Sequence, residues 1–271
     1  MNHSETKFDF YHLLKRTVEQ NKPVALATVI SNQSKRAVKV AAKMLVYANG
    51  SHEGGLGNAD LDKRVIRDAL ELLLKETSKT LTYEFEPEQN IEVYIESILP
   101  PPHLVIIGAD PDAIPIVTLG KQLGFKVVLV DHRPNFANRD KYPDADETLV
   151  AQAEEVPQKV TLDEKTFVLI KTHNYLKDKD ILQAVLKSKT RYIGQLGPKA
   201  RAEDLLKDLS EEGLHFSPAE LERLYAPVGL DIGAESPEQI ALSVLGEMLA
   251  VKNGREGGFL RHQTQAIHPR D

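Results

Sequence analysis

The sequence predicts an α/β protein: a C-terminal Rossmann-like, doubly wound parallel sheet preceded by a smaller α/β domain. Three observations carry that prediction. Beyond residue 102, apolar segments that do not alternate in polarity are separated by helical segments, as in parallel sheets covered on both faces. Before residue 100, alternating strands follow an amphipathic helix and close as a hairpin. Between the two stand Pro100, Pro101 and Pro102, which continue neither a helix nor a strand ladder.

In chain order, residues 8–20 carry apolar side chains at helical spacing and stop at Asn21-Lys22-Pro23. PVALATVIS reads as a buried strand and AAKMLVYANG as a second one ending in a turn. After a glycine-rich bend, residues 58–77 form an amphipathic helix with Leu61, Val65, Ile66, Ala69, Leu72 and Leu73 on one face. LTYEFE and IEVYIESI pair across Pro87–Gln89. The second half reads as strand HLVIIG, helix 112–123, strands FKVVLVD, TLVA and TFVLIKT, helix 178–188, strand RYIG and helix 198–213. The last helix, residues 236–253, opens with Ser236 as N-cap, Pro237 in its first turn and Gln239 completing a capping box. The domains expected are thus residues 1–99, a proline linker at 100–102, a Rossmann-like domain over 103–251 and a basic tail over 252–271.

Composition excludes several classes. A net charge of −6 does not supply the basic face that nucleic acid or an anionic membrane requires. No apolar run approaches the roughly 18 residues of a membrane helix, and the first ten residues lack an apolar signal core, so a cytoplasmic protein is expected. The absence of cysteine excludes disulfides, iron–sulfur clusters, thiolate metal sites and a cysteine nucleophile. The histidines are scattered, which argues against a metal centre, and no P-loop, serine elbow or hydrolytic triad designates a catalytic residue.

In doubly wound folds ligands bind beyond the carboxyl ends of the strands, and five such ends carry unusual residues here. Gly108 permits a tight turn, and Ala113 stands where a third small residue would let helix and strand approach. Asp110 replaces the middle glycine of Gly-X-Gly-X-X-Gly: it either repels a pyrophosphate or caps the helix opening at Pro111. Asp131, about 23 residues past Gly108, stands where a carboxylate holds an adenosine ribose, and Arg133 beyond His132 suits a 2′-phosphate; a solvated turn is the plain alternative. His173, between Thr172 and Asn174, is an acid/base candidate or a turn residue. Gly194 and Gly197 precede Lys199, which meets an anionic ligand or merely solubilises its helix. Asp231 closes a glycine-flanked turn or touches a ligand.

Taken in order, these motifs resemble the XdhC/CoxI family, accessory proteins of molybdenum hydroxylases such as xanthine dehydrogenase. The resemblance rests on LVIIGADPDAIPIV, VVLVDHRP, KTHNYLKD, YIGQLGPKAR and APVGLDIGAESPEQIALSVLGEM, with ALATV, AKMLV and GGLGNADLD in the first domain. It implies a protein that transiently binds the molybdenum cofactor (molybdopterin), assists its sulfuration and insertion into the partner enzyme, and forms a homodimer. The chain departs from the family at Val40-Ala41, where Pro-Gly is usual, and at Gly54-Gly55-Leu56-Gly57-Asn58, where Gly-Gly-Cys is common. Asp110-Pro111 replaces Gly-His, and Tyr225 stands where His is frequent. Two other readings follow from the fold: an NAD(P)-dependent oxidoreductase, or a non-catalytic nucleotide-binding regulator. A cysteine-free chain of this length is not itself a catalytic xanthine dehydrogenase, which needs iron–sulfur clusters and a flavin domain.

Overall fold

The computed structural model describes residues 10–20, 22–34, 37–86, 89–262 and 264. The chain divides into two compact units, Met1–Pro101 and Pro102–Asp271.

In the first unit α1 (Phe10–Glu19) precedes β1 (Val24–Asn32), β2 (Lys43–Tyr47) and β3 (His52–Gly54). Then come α2 (Ala59–Leu74), β4 (Lys79–Glu86) and β5 (Gln89–Ile98). The strands form one antiparallel sheet in the order β3-β2-β1-β5-β4. β1 is central and covered on both faces, which is why its sequence is apolar without alternation. Ala25, Ala27 and Val29 meet the cluster that holds Leu61, Val65 and Ala69 of α2, while Val24 and Leu26 meet Leu13 and Leu14 of α1. Asn58 caps α2 by accepting hydrogen bonds from Asp60 N and Leu61 N. Glycine is required just before that cap, because at Gly57 (φ +93°) a Cβ would come 2.9 Å from Ala37 O. β4 and β5 pair as the expected hairpin; its reversal at Pro87 and Glu88, the helix stop at Asn21 and residues 8–9 lie outside the described residues.

The second unit begins with β6 (His103–Ile107), a 3-10 turn at Pro111–Ala113, α3 (Ile114–Gln122), β7 (Lys126–Asp131) and β8 (Glu147–Val150). α4 (Val156–Lys159), β9 (Thr166–Ile170), α5 (Tyr175–Leu186), β10 (Tyr192–Gln195) and α6 (Lys199–Glu211) follow. It ends with α7 (Pro218–Leu221), β11 (Leu224–Tyr225), α8 (Pro237–Lys252) and a 3-10 turn at Leu260–His262. All six strands are parallel in the order β11-β10-β9-β6-β7-β8. β6 therefore lies between β7 and β9, with Ile107 beside both Val130 and Ile170. The winding reverses between β6 and β9, and a crevice at that switch point is the usual place for a ligand.

Both sheet faces are buried. Leu104, Ile106, Leu129 and Leu169 pack with α3 and α8 residues such as Val117 and Leu245. Val105, Ile107, Val168 and Ile170 pack with Leu182 of α5 and Leu205 of α6. Each such side chain contributes roughly 1.5–3 kcal/mol by burial. Ala113 is buried as expected, but the tight helix–strand approach falls at Gly120, where a Cβ would lie 2.9 Å from Leu104 Cδ2. The helix expected over 112–123 starts as a 3-10 turn because Pro115 has no N–H to close an α-type bond onto Pro111 O, which accepts from Ile114 N instead. Residues 263 and 265–271 of the basic tail lie outside the described residues.

Candidate functional site

Gly108 adopts φ +117°, and a Cβ there would run into the carbonyl of Lys171 at the end of β9. The glycine is thus demanded by the neighbouring strand, independent of any ligand. From behind, the hydroxyl of buried Tyr142 donates to Ala109 O at 2.7 Å and Asp110 O at 2.9 Å. Burial, with Asp110 and Asp112 nearby, pushes the Tyr142 phenol up to about 12, so it remains a donor at neutral pH.

Asp131, 3% exposed, ends β7. Its Oδ2 accepts from Ala109 N at 2.8 Å and Arg133 Nη2 at 2.9 Å. Its Oδ1 accepts from Arg133 N at 2.8 Å and Nε at 2.9 Å, and His132 Nδ1 is 3.1 Å away. Burial pushes this carboxyl upward, but the Arg133 guanidinium and the two backbone N–H groups outweigh it and hold it at about 2. Both oxygens are occupied, so the ribose-binding geometry expected of Asp131 would require Arg133 to leave.

Arg133 also reaches Asp110: Nη2 is 3.1 Å from Oδ1, and the guanidinium lies over the Phe136 ring, 3.6 Å from its centroid. Asp110 makes no capping hydrogen bond to the Pro111 turn. The capping expectation is therefore corrected: the carboxylate turns to Arg133, because an ion pair with a guanidinium is stronger than a bond to a short 3-10 turn that opens with proline.

A second ion pair spans the switch point. Lys171, whose side chain has no solvent exposure, places Nζ 2.7 Å from Asp112 Oδ1, and Asp112 Oδ2 lies 3.3 Å from His173 Nε2. Burial raises the Asp112 carboxyl, but Lys171 and then His173 bring its pKa below the usual value. His173 has φ +56° and is exposed, a conformation uncommon outside glycine that places its ring against Asp112.

Beyond β9, Thr172 Oγ1 donates to buried Asp178, which also accepts from Arg201 Nη2 at 2.7 Å and from Gln195 Nε2 at 3.1 Å. Gln195 Oε1 is buried and has no hydrogen-bond partner among the described residues. Asn174 caps α5 by accepting from Lys177 N, a structural role. Gly194 is tight against Val228 and Tyr192, and Gly197 (φ +131°) against Arg201. Lys199 is exposed, with Glu203 3.7 Å away, and exposed Asp231 lies apart in the loop before α8. That loop is fastened from α8: Glu247 Oε1 accepts from Tyr192 Oη and from Gly229 N, and Tyr225 stacks on Tyr192 at 4.4 Å.

The structure thus gathers Gly108, Asp110, Asp131, His132, Arg133, Thr172 and His173 around the switch point, and leaves Lys199 at the exposed start of α6 and Asp231 in the exposed loop before α8. Sequence reasoning missed Asp112, Lys171 and Gln195. A lysine closing the apolar run TFVLIK was the one available signal. Between the β6, β7, β8 and β9 ends, a cavity of about 20 Å³ touches Gly108, Asp131, His132, Gln152 and Thr172, room for about one water molecule. Among the described residues, no group of three or more His, Asp or Glu is arranged to hold a metal ion, and no helix is long and apolar enough to cross a membrane.

The strand order, with its reversal between β6 and β9, defines a Rossmann-type domain. The chain belongs to the XdhC and CoxI family, with its XdhC Rossmann domain matched over residues 104–248 and the XdhC and CoxI family segment over residues 17–84. It is 33% identical over 165 residues to a probable xanthine dehydrogenase subunit from Bacillus subtilis, covering 61% of this chain and 47% of that protein. It is 29% identical over 255 residues to the uncharacterized protein YqeB of Escherichia coli K12, covering 89% of this chain and 46% of that protein. The chain spans just under half the length of these two relatives. In fold it resembles the crystal structure of a xanthine dehydrogenase from Bacillus halodurans, with a TM-score of 0.53, 24% identity, and 93% of this chain and 97% of that one covered.

Proposed function

We propose that this chain is a cytoplasmic, homodimeric accessory protein that binds the molybdenum cofactor as cargo. In this reading it assists the cofactor's sulfuration and its insertion into a molybdenum hydroxylase of the xanthine dehydrogenase type. The family match over segments of both units carries the proposal. Lys177 lines the small cavity at the switch point and His173 stands exposed beyond β9, and these two would meet the cargo's phosphate. With no cysteine in the chain, the sulfur comes from a separate donor, and this protein's part is to hold the cofactor and exclude water.

The test is reconstitution. Adding the purified chain to cofactor-free hydroxylase, molybdenum cofactor and a sulfur donor should raise the activity recovered, and mass spectrometry of the chain recovered from cells should find a pterin. No increase in activity overturns the reading. A co-purifying nicotinamide would favour the oxidoreductase, for which the strand order of the second unit is the supporting observation.

A further inference from the structure

We propose that the first unit carries a small-molecule site of its own, between α1 and the β2–β3 turn, for an organic monoanion: a carboxylate head on an apolar ring. The site is independent of the switch point and of the cofactor-handling reading.

The space between α1 and that turn is a cavity of about 510 Å³, within the range of roughly 300–1,000 Å³ of small-molecule sites. Leu13, Pro23 and Ala48 give it apolar surface. The turn is braced by its own backbone: Tyr47 N donates to Ser51 O and Gly50 N to Tyr47 O, both at 2.9 Å. Tyr47 is fixed as well, because its hydroxyl donates to Glu53 Oε1 at 3.0 Å. Burial lifts this phenol above its ordinary value, so it stays neutral.

The polar groups of the lining sort by role. Acceptors are engaged: Asn49 Oδ1 takes Ser51 N at 3.0 Å and Ser51 Oγ at 2.7 Å, and Glu53 takes the Tyr47 hydroxyl. Donors are not. Among the described residues, the Arg16 guanidinium and the Lys22 ammonium have no hydrogen bond or ion pair, and the Asn49 NH2, oriented by those two bonds, has no acceptor. Two cations thus face the one carboxylate of the lining, Glu53, and leave one positive charge uncompensated. A second hollow makes the contrast. It encloses about 540 Å³ beside α4 and α5 and also has two lysines, Lys159 and Lys187, but Glu155 and Glu220 pair with them. Unengaged donors and one surplus positive charge over apolar surface select a ligand with a single negative charge, and a planar carboxylate matches the Arg16 fork.

The test titrates the full chain with 1-naphthylacetate and with its uncharged amide by calorimetry, and follows backbone amide shifts by NMR. The acid should bind at least about fivefold more tightly than the amide, with the largest shifts at Thr17, Ala48 and Ser51. Arg16→Gln and Lys22→Gln, both on exposed side chains, should each weaken the acid about threefold and move the amide by less than about twofold. Glu53→Gln keeps an oxygen for the Tyr47 hydroxyl and removes the one carboxylate of the lining, so the acid should bind about threefold more tightly. A gain of affinity cannot come from misfolding. Equal affinity for acid and amide, binding of neither, shifts centred elsewhere, or an acid affinity that does not rise in Glu53→Gln overturns the inference. The cofactor-handling reading is decided separately, by the reconstitution assay.

Discussion

Nζ of Lys171, on a side chain with no solvent exposure, lies 2.7 Å from Oδ1 of Asp112, which is about one-third exposed. The pair links the end of β9 to the turn after β6, so it sets the width of the switch point. Its two halves are unequal. Asp112→Ala strands a buried ammonium and should cost about 3 kcal/mol. Lys171→Met leaves a carboxylate that water can reach and should cost less. Urea unfolding followed by circular dichroism compares them, and equal losses would show that burial of Lys171 is not what makes the pair matter.

Asp131 makes stability depend on acid. Its folded pKa of about 2 lies below the unfolded value near 4. The unfolded chain therefore binds the proton first, and the contribution is complete above about pH 4 and lost as pH falls through 2. Its size is about 2 kcal/mol. The stability gap between wild type and Asp131→Asn should shrink from pH 4 to pH 2; a gap that stays constant would assign the effect to packing.

Gly108→Ala would press a Cβ into the Lys171 carbonyl at φ +117°, and neither backbone has room to retreat within a parallel sheet. A loss of about 3 kcal/mol or more is expected. Gly258→Ala, with open space around it, should change stability by less than about 0.5 kcal/mol. Differential scanning calorimetry of the two variants tests the contrast.

Glu247 accepts from both Tyr192 and Gly229. Glu247→Ala should cost about 2 kcal/mol and speed hydrogen exchange at the Gly229 amide well before exchange at β6. Protection at Gly229 that survives the substitution would mean that the bonds of Val228 to Gln195 and of Leu230 to Ser243 hold the loop without Glu247.

Much of this was legible in the sequence because it is local. The capping box at Ser236 forms as the residue types dictate, and the apolar runs of β6, β7 and β9 announce strands covered on both faces. β3 and β11, of three and two residues, are too short to carry a period, and only their neighbours define them. The partners at the site were hidden for a different reason. Asp110 and Arg133 are 23 residues apart, and Lys171 and Asp112 are 59 apart. No spacing rule connects them; they meet because the sheet places β6 between β7 and β9. Capping was the local one of the two alternatives for Asp110, and a distant arginine decides against it.

The fastening of the 226–233 loop by α8 has a consequence for synthesis. Gly229 N donates to Glu247, Leu230 N to Ser243 O, and Ser243 Oγ back to Leu230 O. Chains leave the ribosome amino end first, so β6 through β10 emerge before residues 237–252 exist to receive that loop. Until then the sheet face carrying Leu104, Ile106, Leu129 and Leu169 lacks its α8 cover. A nascent chain paused short of Pro237 therefore leaves that apolar face uncovered, and the core of the second unit closes as a late event of translation.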